Sequence, residues 1–199
     1  MQGGRARNCL AGIHAARSDR VAEALEIVAY DPAWPDAFAA ERRRLAAALG
    51  EHAVRIDHNG STAVPGLAAK PVIDIQVSVR RLQPREEYAD RLRLLGYVHV
   101  PHSDDSFCPF FHRPAAWPHT HHVHLVQSGG AAERRTLAFR DYLREHPDVA
   151  RAYEELKRGL MRLHGAATFE SRQASADAKT GFVTRITELA LAEGLPRTW

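Results

Sequence analysis

The sequence predicts an α+β or α/β domain, a mixed sheet flanked by helices with further helices packed on it at the C-terminal end. Three observations carry this. Period-two apolar stretches occur at 53–57, 70–79, 97–100 and 121–127, helical stretches lie before and between them, and everything beyond Gly130 has helical character. At 199 residues the chain has room for one domain of good size, able to bury a core without disulfide or metal staples.

Residues 1–25 combine Gly, Arg and Ala without a sustained period, so they read as a disordered N-terminal extension or an upstream start. Residues 26–199 then form a single domain, with a helical portion at about 131–195. Asp31-Pro32 stops a short apolar run, and Pro35 and Asp36 open a helix that runs through Phe38 and Leu45 to the stop at Gly50. A strand at 53–57 follows and runs into a polar turn, His58 to Thr62. Lys70 to Val79 places Val72, Ile73, Ile75, Val77 and Val79 in a strand pattern, with Asp74, Gln76 and Ser78 sharing the opposite face. A carboxylate thus projects from the middle of an apolar strand.

A helix over 84–95, closed by Gly96, leads to a strand at 97–100. Phe107 to Pro118 is aromatic and broken by prolines, a hairpin or a loop. His121 to Gln127 is a further strand, whose alternation puts His122 and His124 on one side. The tail reads as helices at 131–145, 147–164 and 177–193, with Leu137, Leu143, Tyr153, Leu156 and Leu160 as a core stripe.

Composition excludes several classes of function. The net charge is only +3 and much of the basic excess sits in residues 1–25, so the body lacks the broad basic face of a dedicated nucleic-acid binder. No stretch approaches the roughly 18 uninterrupted apolar residues of a membrane span. The N-terminal segment lacks the apolar core of a secretory signal, and Cys9 and Cys108 cannot make a disulfide framework, so the expected location is the cytoplasm. Histidine is in surplus. Of twelve, seven fall between His99 and His124.

Three constellations could carry chemistry. Gly60-Ser61-Thr62 at the end of a strand offers backbone N–H groups and hydroxyls to a phosphate, and Lys70 and Asp74 follow on the next strand, the carboxylate suited to a divalent cation. The plain alternative is a helix cap at Ser61 or Thr62, with Asp74 accepting backbone hydrogen bonds. Secondly, His122 and His124 at i, i+2 can share one metal ion if a third ligand approaches from a neighbouring strand, and Asp74 is the obvious one. Their alternative is ordinary packing in the sheet. Thirdly, Arg140 and Lys179 on the helical tail could reach a phosphate in the cleft or serve as surface ion-pair partners.

The runs Ile27 to Trp34, His58 to Ile75, Thr120 to Leu125 and Leu137 to Arg144, with Ala178-Lys179, resemble the GrpB family in order and spacing. The resemblance implies a nucleotidyltransferase-like fold. In that superfamily a Gly-Ser turn precedes a strand bearing two acids one residue apart, with a third acid on a later strand. Gly60, Ser61 and Asp74 match. Gln76 stands where the second acid would be, and His122 and His124 stand on the later strand. Two-metal catalysis relies on several carboxylates to hold its magnesium ions. An Asp-His-His set suits zinc, manganese, nickel or iron instead.

The expected function is therefore binding of a nucleotide or other phosphorylated small molecule at Gly60, Ser61, Thr62, Lys70, Arg140 and Lys179. Asp74, His122 and His124 would hold a divalent metal, Mg, Mn or Zn, and Ser61 and Asp74 would take part in nucleotidyl or phosphoryl transfer. The alternatives are a non-catalytic nucleotide-binding module on the same fold and a metal-dependent hydrolase using the histidine strand.

Overall fold

The computed structural model describes residues 26–101, 105–164 and 169–197, so the expectation for residues 1–25 lies outside the described residues. Five strands form one mixed sheet in the order β1-β2-β5-β4-β3, comprising β1 (Ala53–Asn59), β2 (Ile73–Val79), β3 (Val98–Val100), β4 (Phe110–Arg113) and β5 (His121–Gln127). Five α-helices accompany it, α1 (Trp34–Leu49), α2 (Glu86–Leu94), α3 (Ala131–Glu145), α4 (Pro147–His164) and α5 (Phe169–Ala192). The central pair β2 and β5 is parallel, and the other neighbours are antiparallel.

Alternation along β2 divides the molecule into layers. Ile73, Ile75, Val77 and Val79 point to one face, where they join Leu45 and Leu49 of α1 and Tyr88 and Leu92 of α2 in the main core. Each such side chain, fully buried, contributes about 1.5–3 kcal/mol relative to exposure. Asp74, Gln76 and Ser78 point to the other face, which α3 covers, so that Gln76 and Ser78 are fully buried. A second core lies among α3, α4 and α5, where Phe139, Tyr142, Tyr153, Val183 and Ile186 pack with Val64 and Leu67 from the loop ahead of β2.

Most expected elements appear at their predicted positions, and the differences have local causes. β1 does not end at residue 57 but continues to Asn59, because His58 and Asn59 pair with Ile75 and Asp74 across the sheet. The aromatic stretch at 107–118 contains a strand, β4, held between Pro109 and Pro114 and paired with β5 as a hairpin. α5 starts at Phe169, eight residues ahead of the expected start, because residues 169–176 are tolerant of helix but have no apolar period to announce it. Cys108 is fully buried beside Val126. No helix among the described residues is long and apolar enough to cross a membrane.

Candidate functional site

The parallel register sets the site. Asp74 lies directly beside His122, and Gln76 beside His124, so one carboxylate and two imidazoles share a face at the end of two adjacent strands. Asp74 Oδ1 is 3.1 Å from His122 Nδ1 and 4.0 Å from His124 Nε2. The three donor atoms lie within 4.8 Å of one another. Ligands at 2.0–2.1 Å in a tetrahedron stand about 3.3 Å apart, so small side-chain movements suffice to enclose a single transition-metal ion. The donor set fits zinc, manganese or a similar ion better than magnesium, which prefers an all-oxygen shell.

Burial opposes ionisation of Asp74. The hydrogen bond from His122 and the positive potential of His122, His124 and His58 more than offset it, so the carboxyl lies below its usual range. A further histidine supports the group. His119 Nδ1 is 3.2 Å from His122 Nε2, and the His119 ring stacks on His112 at 3.7 Å. His112 in turn donates from Nδ1 to the Pro114 carbonyl. Such partners orient a metal-ligating imidazole and select its tautomer. His121, one residue along the strand, points to the opposite face and meets Arg113.

Gln76 does not substitute for a second acid. Its Oε1 accepts from Asn59 Nδ2 at 3.3 Å and from the Thr136 hydroxyl of α3. The amide therefore ties β1, β2 and α3 together beneath the site.

Gly60 and Ser61 approach Asp74 from β1. Gly60 has φ +66°, and a Cβ there would stand 2.3 Å from Asp74 Oδ2. Only glycine permits both the turn and this approach. Ser61 begins a short 3₁₀ turn (Ser61–Ala63), and its Oγ accepts a hydrogen bond from Lys157 Nζ at 3.0 Å. Tyr153, one turn earlier on α4, is hydrogen-bonded to the same hydroxyl. Burial pushes the Lys157 amine down to about 7, with Lys179 adding to the effect and Asp74 among the groups opposing it. Lys179 on α5 is also lowered by burial, against the attraction of Asp74. Two lysines, a serine and a tyrosine thus gather beside the Asp-His-His group.

The structure does not bring every expected residue to this cleft. Thr62 is buried, its hydroxyl donating to the Val72 carbonyl and accepting from His58 Nε2, so it is not turned to a phosphate. Arg140 is neither a surface residue nor a cleft residue. It is buried against Asp141 at 2.7 Å, the His58 carbonyl at 3.1 Å and Asp57 at 3.6 Å. Lys70 is half-buried in the loop ahead of β2, its carbonyl accepting from Val72. Lys157 and Tyr153 were absent from the expected set. Their spacing of four residues on one face of α4 was the available signal, and it reads equally well as a core tyrosine followed by a surface lysine.

His58 gives the fold a pH limit. Burial lowers its imidazole from 6.5 to about 4, with the Asp74 charge opposing and Arg144 and Arg140 reinforcing the shift. The unfolded chain then binds the extra proton first, so stability present above pH 6.5 is lost as pH falls towards 4, on the order of 3 kcal/mol for a shift of this size. Urea midpoints of wild type and His58→Gln across this window should diverge in slope. Identical slopes would show that His58 does not set the limit.

The family described as GrpB protein matches residues 24–189. The chain belongs to the GrpB family. A GrpB structure from Enterococcus faecalis superposes with a TM-score of 0.74 at 32% identity, covering 84% of this chain and 98% of that one. The UPF0157 protein PA4798 of Pseudomonas aeruginosa is 39% identical over 84% of this chain and 68% of its own length. Similarity also extends to the UPF0157 protein YqkA of Bacillus subtilis, 35% identical over 70% of this chain, where the match spans only 40% of that protein. A dephospho-CoA kinase of Mycolicibacterium paratuberculosis is 34% identical over 67% of this chain and 39% of its own length. The matched region includes Ser61, Asp74, His122, His124, Lys157 and Lys179.

Proposed function

We propose that this GrpB protein binds a nucleotide or other phosphorylated small molecule in the cleft between Ser61 and Asp74, and transfers its phosphoryl or nucleotidyl group. The observation that carries this reading is the meeting of two complementary halves: a three-donor Asp74-His122-His124 group on the sheet, and Ser61 with Lys157 and Lys179 from the helical layer. The Gly60-Ser61 turn followed by Asp74 matches the nucleotidyltransferase pattern, and relatives named dephospho-CoA kinase add a nucleotide context. Asp74, His122 and His124 would hold a divalent metal, which polarises a phosphate oxygen when bound. Ser61 would hydrogen-bond the phosphate, while the ammonium forms of Lys157 and Lys179 neutralise its charge in a half-buried setting.

Gln76 favours a second reading, a non-catalytic binding module, because its amide is committed to α3 where a second acid would help hold metal. One experiment tests both. Zinc and manganese binding is measured by calorimetry, followed by thermal stabilisation with a panel of nucleoside triphosphates and product analysis. Metal should bind the wild type and be weakened more than about 100-fold by Asp74→Ala, since changes to supporting residues alone cost 10–100-fold. A ligand at a hundred times its Kd should stabilise by about 2.7 kcal/mol. Stabilisation without turnover selects the binding module. No metal affinity and no stabilisation by any triphosphate would overturn the proposal.

A further inference from the structure

We infer that Ser61 is a nucleophile, activated by Lys157 as general base, that attacks phosphorus in an activated phosphate or phosphonate ester. The inference deepens the phosphorylated-ligand reading by making Ser61 a reacting group, and its test needs no metal.

The geometry is that of a serine–lysine pair with a tyrosine behind it. Ser61 sits half-buried at a strand-to-turn junction, directly after Gly60, whose positive φ turns the chain and whose Cα packs against Asp74. Lys157 Nζ is 3.0 Å from its Oγ, within reach for direct proton transfer. The same amine donates to the Ala68 carbonyl at 2.6 Å, which fixes its orientation and leaves its lone pair, in the neutral form, for the Ser61 proton. Glu154 Oε2 accepts from Ala68 N at 3.0 Å, so α4 grips the 61–68 loop at both polar atoms of one peptide residue. The Lys157 amine also lies 5.0 Å from the centre of the Tyr153 ring. Among the described residues no carboxylate stands at ion-pairing distance from it, so its charge is not locked in place.

A lysine used only to clamp phosphate gains from being fully charged. Burial and Lys179 instead draw Lys157 down to about 7, against Glu154 and Asp74, with Arg158 lowering it further. A substantial neutral fraction is therefore present at physiological pH, as a general base requires. Burial keeps Tyr153 protonated, so it can orient the Ser61 hydroxyl but does not compete as base.

The step balances with the groups present. Ser61 Oγ forms the bond to phosphorus, its proton moves to Lys157 Nζ, and the bond from phosphorus to the leaving oxygen breaks with its electron pair on that oxygen. The leaving oxygen takes the proton from the Lys157 ammonium. Water then cleaves the phosphoseryl ester, or an acceptor hydroxyl takes the group.

The full-length protein is treated, free of metal, with a small alkyl fluorophosphonate, and the modified residue is located by mass spectrometry. Here the serine oxygen displaces fluoride, and the product is a stable phosphonylated serine. Ser61 should be labelled in the wild type and not in Ser61→Ala, at a rate that rises with pH and levels off above about 7. Lys157→Met and Lys157→Arg, each checked for folding by circular dichroism, should lose at least about 100-fold in rate. Arginine keeps the charge and the donors but does not accept a proton at these pH values. Absence of label at Ser61 across about pH 6 to 9 overturns the inference, as does a Lys157→Arg rate equal to wild type. Calorimetry with nucleoside triphosphates separates the two ideas: ligand binding without labelling removes the nucleophile alone, and labelling without ligand binding removes the phosphorylated-ligand reading alone.

Discussion

Arg140→Met is expected to destabilise the protein by about 3 kcal/mol, at the lower end of the cost of removing one partner from a buried ion pair. Arg140 is 6% exposed, and its guanidinium stands between Asp57 of β1 and Asp141 of α3 while donating to the His58 carbonyl. Asp57 retains Arg55 at 2.6 Å and Asp141 retains the longer contact to Arg144 at 3.5 Å, which is why the low end applies. For a domain of this size the thermal midpoint should fall by about 6–12 °C. Arg93→Ala is the reference, since the Arg93–Asp90 pair is largely solvated and should change the midpoint little. Equal effects of the two substitutions would show that the Arg140 network does not hold β1 to α3.

Gly60→Ala should cost about 2–5 kcal/mol, combining the positive-φ penalty of about 1–2 kcal/mol with overpacking of about 1–3 kcal/mol. The added methyl would stand 2.3 Å from Asp74 Oδ2 and 2.8 Å from Asp74 Cβ, so relief requires moving the whole Asp74 side chain and its strand, and with them the carboxylate beside His122. Metal affinity should therefore fall together with stability. Gly50→Ala separates the two contributions, because Gly50 has φ +55° and nothing within 4 Å of the added Cβ. It should show the backbone penalty alone and leave the cleft intact. If both variants lose the same stability and keep the same metal affinity, Gly60 serves the turn and not the approach to Asp74.

The parts of the site that follow strand periodicity were legible in the sequence. Alternation alone set Asp74 opposite the core face of β2 and His122 with His124 on one side of β5, and the parallel pairing then made them neighbours. Helices α3 and α4 were equally legible, since Gly130 and Pro147 punctuate their starts. The helical half of the cleft was not. Ser61 and Lys157 are separated by 96 positions, and which face of α4 turns to the 61–68 loop depends on how three helices pack. Arg140 shows the same limit from the other side. Its charge pointed to solvent or ligand, yet two aspartates close enough to bury it lie on different elements, one of them 83 positions away. Thr62 looked like a phosphate ligand by adjacency to Ser61, but one residue along a 3₁₀ turn rotates the side chain into the protein, where His58 and Val72 use its hydroxyl.

The parallel pairing of β2 with β5 also bears on when the cleft comes into being. A parallel pair has no hairpin route, and here the connection carries α2, β3 and β4 before the chain returns. Asp74 and His122 therefore meet through a non-local closure, the slow class of folding event. Interactions formed after the rate-limiting barrier act on the escape from the native state and not on its formation. An ion or phosphate seated between these strands would then lengthen the lifetime of the folded protein while leaving the speed of its folding nearly unchanged.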